Sequence, residues 1–328
     1  MSYIGGINIS TVLVTHNIPG SGLDELRRVC DVITPPEGRL MFSRDEILSH
    51  ISNADAVLAC AAIDAQMIAA APKLKIISNY GAGYDRIDTA AAAARGIPVT
   101  NIPDDTMQAT AELALAALLS LSRRVTELDH AIRAGEQGLF VMGSHMGHTL
   151  EGKLLGIVGM GHIGGAMARM CRALGMNVAY HNRHRLSDSD AYGAEYMELD
   201  ELFKRCDVIS IHCPLTDSTR GLVSAERIAL MKSDALIINT SRGGVIDTDA
   251  LINALKAHRI GGAALDVFPH EPEVPEALKS LENVVLTPHI GTNTVETREQ
   301  MARACGKRIL DALAGCTPQN VVNGVKLG

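Results

Sequence analysis

Four polar side chains follow short apolar runs in the second half of this 328-residue sequence, where strands are predicted to end: Arg242, Asp266, Glu271 and His289. An arginine offers a planar, two-pronged cation that suits a carboxylate. A histidine can transfer a proton near neutral pH, and a neighbouring carboxylate can orient its ring. Because ligands bind beyond the carboxyl ends of strands in an open α/β sheet, we expect these groups to converge on one crevice.

A glycine-rich loop precedes these residues. The apolar run Leu154–Val158 leads into GMGHIG at 159–164, and a helical pattern follows. Gly159 would permit a tight turn, Gly161 a close approach to a pyrophosphate, and Gly164 close packing of helix on strand. The free N–H groups at the helix start favour a phosphate. The motif alone would also fit a chance turn, but the flanking strand and helix favour a dinucleotide site.

The next predicted strand bears on the choice of dinucleotide. An NAD site places Asp or Glu about 20 residues after the first glycine, to bind the ribose. Here Asn182 stands near that position, Arg183 and Arg185 follow, and the first carboxylate is Asp188. Guanidinium groups suit a 2′-phosphate. The sequence therefore predicts NADP(H) as the preferred cofactor with NAD(H) as the second choice, and a solvated basic turn is the alternative.

The elements that position these residues alternate between short apolar runs and helical patterns, which is typical of parallel βαβ units. A chain of this length favours two domains. The stretch from Thr106 to about Arg133 predicts one long helix, and a terminal helix is predicted at 294–313. The main strands are predicted at 11–15, 56–58, 75–78, 98–101, 154–158, 177–180, 208–211, 235–239, 262–266 and 284–287.

Composition excludes several classes of function. The formal charge is −7 with no Lys/Arg-rich stretch, so neither nucleic acid nor an acidic membrane is an expected partner. No apolar run approaches the roughly 20 residues that span a bilayer, and we expect no signal peptide. The seven cysteines are scattered and form no CxxC pair. This pattern predicts reduced thiols in the cytoplasm and no metal site.

Several longer segments occur together in one order: GMGHIG, HCPLTDSTRGLV, INTSRGGVIDTDAL, GAALDVFPHEP and TPHIG, with SNYGAGYDRIDTAAAAARGIPVTNIP and TAEL upstream. With them the sequence resembles the D-isomer-specific 2-hydroxyacid dehydrogenase family, particularly its glyoxylate/hydroxypyruvate reductase and related 2-keto acid reductase branch. The resemblance covers nearly the whole chain. It implies an α/β fold of two Rossmann-like domains, each a parallel sheet flanked by helices, with a cleft between them. It also implies a homodimer.

The resemblance further implies how the domains divide the work. Residues 1–103 with 294–328 would form a flavodoxin-like substrate (catalytic) domain, and residues 104–293 an NAD(P)-binding Rossmann domain. The reaction would move a hydride from NAD(P)H to C2 of a small 2-keto acid such as glyoxylate, hydroxypyruvate or pyruvate. A hinge at Asn101–Met107 and Gly291–Val295 would let the domains close on their ligands.

Individual roles follow from the same resemblance. Arg242 would bind the substrate carboxylate and polarise the keto oxygen, His289 would donate the proton, and Glu271 would orient His289. The backbone N–H groups of Ala82 and Gly83 would bind the carboxylate from the first domain. The dinucleotide contacts that the family implies, besides the glycine loop and the residues after it, are Thr110, His162, Ile163, Cys213, Thr240, Ser241, Asp266 and Gly291.

Two departures and two alternative functions remain. The chain has no Trp in the loop before the cofactor domain, where Phe140 and Met142 stand, and Pro269 replaces a residue that is often acidic. Glu271 argues against a formate dehydrogenase, which has Gln there, whereas a phosphite dehydrogenase stays open. So does a nicotinamide-sensing protein of the corepressor kind, in which the cofactor switches a protein-binding surface.

Overall fold

The computed structural model describes residues 3–4, 7–187, 191 and 193–328. The chain divides into two compact units, which we call unit 1 (Met1–Thr106 with Thr292–Gly328) and unit 2 (Met107–Gly291). Each unit contains a parallel sheet flanked by helices, as predicted. The sequence predicts domain boundaries after residues 103 and 293, whereas the two units divide after residues 106 and 291.

The strands are β1 (Tyr3–Ile4), β2 (Ile7–Asn8), β3 (Thr11–Val14), β4 (Asp31–Ile33), β5 (Ala56–Ala59), β6 (Ile76–Asn79), β7 (Val99–Thr100), β8 (Leu154–Val158), β9 (Asn177–His181), β10 (Glu195–Tyr196), β11 (Val208–Ile211), β12 (Leu236–Asn239), β13 (Gly262–Leu265) and β14 (Val284–Leu286). The helices are α1 (Asp24–Val29), α2 (Arg44–Ile51), α3 (Ala65–Ala69), α4 (Thr89–Ala94), α5 (Pro103–Ser122), α6 (Val125–Arg133), α7 (His162–Ala173), α8 (Leu199–Arg205), α9 (Ala225–Leu230), α10 (Thr248–Lys256), α11 (Glu276–Lys279) and α12 (Val295–Leu313).

In unit 1 the main sheet has the order β4-β3-β5-β6-β7 with all pairs parallel. This is the flavodoxin-like order, and the direction of winding reverses between β3 and β5. The central strands are almost fully buried, and β5 is apolar throughout, because helices cover both faces. Ala56 and Leu58 pack towards α12, whereas Val57 and Ala59 pack towards α2 and α3.

In unit 2 the sheet has the order β10-β9-β8-β11-β12-β13-β14, again parallel. The first six positions follow the dinucleotide-binding order, with its reversal between β8 and β11. Helices α5 and α7 cover one face, and α8 and α10 cover the other. The glycine loop leaves β8 at this reversal, so the fold puts it where a ligand crevice is expected.

One predicted helix is wrong in its extent. Where the sequence predicts a single helix from 106 to 133, the structure has α5 and α6, separated by Arg124 in the left-handed region (φ +56°). Two contacts hold the break: the Arg124 guanidinium donates to the Glu127 carboxylate (Nε to Oε2, 2.7 Å), and the Ser122 carbonyl accepts from the N–H of His148 (2.9 Å). Apolar periodicity continues through the break and so could not reveal it.

Four short strands, β1, β2, β4 and β10, were not predicted. Each lies at the edge of its sheet and has at most three residues. Short edge strands carry little of the apolar pattern from which strands are recognised. No helix in the part of the chain that the structure describes is long and apolar enough to cross a membrane.

Candidate active site

The glycine loop has the geometry that a dinucleotide site needs. Gly159 has φ +95°, and a Cβ there would lie 2.6 Å from the backbone N of Cys213 at the end of β11. A Cβ at Gly164 would lie 2.5 Å from the carbonyl O of Gly159. Both glycines are therefore required by the protein's own packing. At Gly161, in contrast, a Cβ would meet no described atom within 4 Å, so open space borders the backbone there.

That open side has two further features of a ligand site. No side chain caps the start of α7 at Gly161, and the N–H groups at a helix start are suited to bind a phosphate. At the end of β12, the hydroxyl oxygen of Thr240 is buried and has no hydrogen-bond partner among the described residues. A buried hydroxyl without a partner is costly. These residues therefore fit a bound dinucleotide.

Three predicted contacts lie next to these features. His162 is the exposed first residue of α7, and Ile163 packs partly into the core beneath it. Burial raises the pKa of the Cys213 thiol to about 11, so this side chain is neutral near pH 7. Its neighbour His212 accepts or donates a hydrogen bond to Ser210 (Nε2 to Oγ, 2.8 Å), and burial lowers its pKa to about 4. The strand end beside the loop therefore carries no charge.

Of the residues after β9, Asn182 holds the glycine loop in place, whereas Arg183 is exposed to solvent. The Asn182 amide accepts from the N–H of Met160 (2.7 Å) and donates to its carbonyl (3.2 Å), which fixes the glycine loop. Arg183 is exposed, and the Arg185 guanidinium lies 5.9 Å from the ring centroid of Tyr196. The stretch 177–187 contains no carboxylate. Asp188, the first acidic residue in the sequence after it, lies outside the described residues.

His289 and Glu271 form a pair in unit 2. The Nδ1 atom of His289 lies 2.8 Å from Oε2 of Glu271, and Oε1 of Glu271 accepts from the N–H of Phe268 (3.2 Å). The histidine side chain is 44% exposed and the glutamate only 17%. The buried partner thus holds Nδ1, which leaves Nε2 as the imidazole atom that can exchange a proton with a ligand.

Asp266 holds the loop that carries His289. Its Oδ1 accepts from the Thr287 hydroxyl (2.7 Å) and the N–H of Ile290 (2.8 Å), and its Oδ2 accepts from the N–H of Gly291 (3.0 Å). Burial raises the pKa of this carboxyl group, while those hydrogen bonds oppose the rise. His289 itself has φ +54°, an unfavourable backbone conformation for this residue. The carboxylate therefore stabilises a turn that would otherwise be strained.

Thr110 lies beside the same turn. It is buried, and its side-chain atoms would lie 3.3 to 3.5 Å from a Cβ placed on Gly291. A larger residue than glycine would press on Thr110 and on Oδ2 of Asp266. The contact joins the start of unit 2 to its end, and it brings together two of the predicted dinucleotide contacts.

Arg242 is positioned by a buried asparagine. Asn239, the last residue of β12, donates to the carbonyl of Arg242 (3.0 Å), and its Oδ1 accepts from both the N–H (3.0 Å) and the hydroxyl (2.9 Å) of Ser241. The Arg242 guanidinium also donates to the carbonyl of Ser241 (2.7 Å). The loop at 240–242 is thus shaped from below by one fully buried side chain.

In unit 1, the predicted substrate loop is held in a similar way. Asn79, at the end of β6, donates to the carbonyls of Gly81 and Gly83 (2.9 Å each), and Asn101 donates to the carbonyl of Ala82 (2.7 Å). Neither Ala82 nor Gly83 donates its N–H to another described residue. With carbonyls engaged and N–H groups available, this loop can bind an anion.

Three residues of this arrangement were missed from the sequence: Asn79, Asn239 and Thr287. The two asparagines end apolar strands, and buried polar residues at strand ends need partners, so their position was a usable signal. Thr287 lies two residues before His289, and nothing in its type singled it out. Within the described ranges, no group of three or more His, Cys, Asp or Glu side chains is placed to hold a metal ion.

Comparison with known proteins agrees with this geometry. Residues 115–291 match the model of the D-isomer specific 2-hydroxyacid dehydrogenase NAD binding domain. The chain is 42% identical to the glyoxylate reductase of Thermococcus litoralis over 95% of this chain and 96% of the relative. It is 41% identical to the glyoxylate reductase of Pyrococcus furiosus, with 95% of each chain covered.

Solved structures give the same result. A glyoxylate reductase from Paecilomyes thermophila is 33% identical with a TM-score of 0.87, covering 96% of this chain and 99% of that one. An NADPH-dependent glyoxylate/hydroxypyruvate reductase from Sinorhizobium meliloti, solved with NADP and malonate, is 29% identical with a TM-score of 0.86, covering 98% and 99%. The chain belongs to the D-isomer specific 2-hydroxyacid dehydrogenase family. It is an NAD(P)-dependent oxidoreductase that acts on keto acids.

Proposed function

We propose that this enzyme uses NADPH to reduce a small 2-keto acid, of the size of glyoxylate, hydroxypyruvate or pyruvate, to the 2-hydroxy acid. The observation that carries the proposal is the His289–Glu271 pair (2.8 Å) in the same unit as Arg242 and the glycine loop. The relatives that are named glyoxylate reductases support the substrate class.

His289 is the proposed proton donor. Reduction of a keto group leaves negative charge on its oxygen, and a proton must reach that oxygen. Since Glu271 binds Nδ1, the proton leaves from Nε2, and the ring keeps its orientation through the transfer. Glu271 in turn accepts a hydrogen bond from the N–H of Phe268, so both members of the pair are held in place.

Arg242 is the proposed carboxylate ligand, and the N–H groups of Ala82 and Gly83 are proposed to bind the same carboxylate. A guanidinium recognises a carboxylate through two parallel hydrogen bonds. The Arg242 guanidinium would also polarise the keto oxygen and so stabilise the charge that develops on it. In this proposal, unit 1 is the substrate domain and unit 2 the cofactor domain.

The dinucleotide is proposed to lie on the glycine loop, with Thr240, Ser241, Cys213 and Thr110 among its contacts. When bound, the reduced nicotinamide supplies the hydride. The preference for NADPH rests on the exposed Arg183, the neighbouring Arg185 and the lack of a carboxylate over 177–187. The NADP-bound reductase of S. meliloti supports this choice. Asn182 would act indirectly, through its two bonds to Met160.

A homodimer is also proposed. The segment that follows α5 exposes six large apolar side chains: Val125, Ile132, Phe140, Val141, Met142 and Met146. Phe140 and Met142 are almost fully exposed, at 97% and 99%. Several large apolar side chains exposed within one segment are a feature of protein interfaces. Light scattering on the purified 34.9 kDa chain tests the proposal: a mass of two chains supports it, and a single chain contradicts it.

The seven unbridged cysteines support a reducing compartment, and we propose the cytoplasm.

Steady-state oxidation of NADPH and NADH across a panel of 2-keto acids tests the catalytic proposal, with phosphite and formate tested for NAD(P)+ reduction. We expect the highest kcat/KM with NADPH and a two- or three-carbon 2-keto acid. Turnover of phosphite alone would identify the rival dehydrogenase. Tight dinucleotide binding without turnover of any compound would indicate a nicotinamide-sensing protein.

A further inference from the structure

Unit 1 contains a polar cluster that the reaction described above does not use. It lies at the carboxyl edge of the unit 1 sheet and consists of His16, after β3, and Arg298, in the first turns of α12. Tyr80, after β6, contacts Arg298 and comes two residues before Ala82 of the proposed substrate loop. The winding of the sheet reverses between β3 and β5, and at such a reversal α/β folds bind ligands.

Arg298 is the main feature of this cluster. Its side chain is half-buried, and its guanidinium carbon lies 5.6 Å from the ring centroid of Tyr80. The Tyr80 hydroxyl donates to the backbone carbonyl of Arg298 (2.6 Å), which fixes ring and helix together. Among the described residues the guanidinium forms no ion pair, and its neighbour is the Tyr80 side chain, to which it is hydrogen-bonded. A positioned cation of this kind is able to bind an anion.

The other arginines of α12 differ from Arg298. Arg303 pairs with Glu299 (3.2 Å), and the guanidinium of Arg308 donates to the carbonyl of Ala304 (2.9 Å). Both groups thus have a partner on their own helix, although the Nε atom of Arg308 is buried without one. Arg298, on the side that faces Tyr80, has no carboxylate partner among the described residues.

His16 offers a second hydrogen-bond donor near Arg298. The Thr15 hydroxyl oxygen accepts from the N–H of Cys60 (2.9 Å) and lies 3.3 Å from Nδ1 of His16. Either ring nitrogen of a neutral imidazole can carry the proton, so His16 offers one N–H donor. Burial lowers the pKa of His16; a hydrogen bond to the Thr15 backbone opposes this effect, and the charges of Arg298 and Arg86 add to it. The ring is thus a neutral donor near pH 7.

Tyr80 is close in sequence to the proposed substrate loop. Tyr80 precedes Ala82 by two residues, so their Cα atoms are at most about 7 Å apart. The N–H groups of that loop would bind the C1 carboxylate of the substrate. If the chain of the substrate extends towards Tyr80, a second anionic group a few carbons away would meet the Arg298 guanidinium next to that ring.

We propose that Arg298, with His16 as a second donor, forms a subsite for an anionic group at the far end of the substrate, a carboxylate or a phosphate ester. The inference rests on the proposed function and narrows its substrate class. The enzyme would then prefer 2-keto acids with two anionic groups to neutral-tailed compounds of the same length. A two-pronged guanidinium bond to an anion is worth a factor of about ten or more in affinity.

The test compares matched pairs of substrates. For the carboxylate, 2-oxoglutarate is compared with 2-oxopentanoate, and for the phosphate, 3-phosphohydroxypyruvate is compared with hydroxypyruvate. In the native enzyme we expect kcat/KM to be about tenfold or more higher for at least one dianionic member, and the favoured pair identifies the anion. Arg298→Gln should abolish that preference while changing kcat/KM for glyoxylate much less. Arg298→Lys should restore part of it.

Arg303→Gln is the matched control, because it removes the same charge from the same helix and should leave the preference intact. No preference in the native enzyme would overturn the proposal. So would an Arg298→Gln variant that loses the same factor on both members of a pair, since the guanidinium would then act only through its general field.

A second measurement does not depend on turnover. The shift in unfolding temperature caused by 2-oxoglutarate and by 2-oxopentanoate is recorded for the native enzyme and for Arg298→Gln. We expect a larger shift with the dianion, lost in the variant. If no 2-keto acid is reduced but this difference is present, the proposed reaction fails and the anion subsite stands. If glyoxylate is reduced but the difference is absent, the subsite fails alone.

Discussion

In units 1 and 2 the loop at the end of a sheet strand is held in the same way, but the groups that the two loops present are different. Each has a buried asparagine at the end of a strand, Asn79 on β6 and Asn239 on β12, and each asparagine holds the loop that follows it. In unit 2 that loop carries Arg242, and the same unit holds the Glu271–His289 pair. In unit 1 the loop has backbone N–H groups that donate to no described residue. In the account proposed above, the same structural feature serves the reaction in unit 2 and anion binding in unit 1.

The hydrogen bonds and ion pairs that hold the functional side chains differ as well. In unit 2, Asp266 accepts three hydrogen bonds from the loop around His289, and Glu271 accepts from both His289 and Phe268. A proton donor needs this rigidity because its position relative to the reacting atom decides the rate. In unit 1, Arg298 has no counter-charge among the described residues, which suits a group whose partner is a ligand.

The largest expected effect comes from removing the proton donor of unit 2. His289→Ala should lower kcat by roughly two to four decades, the usual scale for loss of a general acid, because no other group takes over from Nε2. NADPH should still bind, as measured by fluorescence titration. The control is His270→Ala, an exposed histidine next to Glu271. A His289→Ala variant that keeps more than half of native turnover would refute the assignment.

The next effect concerns the choice of cofactor. Arg183→Ala combined with Arg185→Ala should lower kcat/KM for NADPH about ten- to a hundredfold, since charge-assisted bonds to a 2′-phosphate are lost. The value for NADH should change little. Arg172→Ala, a change of the same type on the neighbouring helix α7, serves as a control. If the native enzyme has the higher kcat/KM with NADH, the proposed preference is wrong.

The two asparagines give a direct test of the comparison between the units. Asn79→Ala should raise KM for the 2-keto acid about tenfold and leave KM for NADPH unchanged, because only the unit 1 loop loosens. Asn239→Ala should raise both constants, because Thr240 and Ser241 belong to the same loop as Arg242. Equal effects of the two variants on both constants would show that the units do not divide the work in this way.

The smallest effect is on stability. The pKa of His212 is lowered to about 4 by burial, so the unfolded chain binds a proton more readily than the folded one between about pH 6.5 and 4. The free energy of unfolding should therefore fall as the pH drops through this window, by up to about 3 kcal/mol from this residue. His212→Gln should reduce the fall, as followed by urea denaturation at several pH values. An identical pH profile for the variant would contradict the prediction.

The sequence predicts most of what the backbone and the known motifs determine. The strands β8 and β11 have their predicted bounds, and the two-domain α/β fold class is confirmed. The glycine loop was recognisable because the turn, the ligand approach and the helix packing each demand glycine. The His289–Glu271 contact followed from strand ends that meet at one edge.

What escaped prediction depends on partners that are distant in sequence. The break between α5 and α6 needs Arg124 in a left-handed conformation and a bond from His148 to Ser122, which no local pattern encodes. The role of Asn182 as a brace of the glycine loop depends on Met160, 22 residues earlier. The isolation of Arg298 depends on where every acidic group lies, and so it is visible only in three dimensions.

The most direct test of the central claim follows the hydride itself. NADPH carrying deuterium at both hydrogen positions of nicotinamide C4 is incubated with the enzyme and glyoxylate or pyruvate, and the product is analysed by NMR and mass spectrometry. We predict a 2-hydroxy acid with deuterium bound to C2, formed in step with oxidation of the cofactor, and essentially none with His289→Ala over the same time. A product without deuterium at C2, or no 2-hydroxy acid from any small 2-keto acid, would contradict the account.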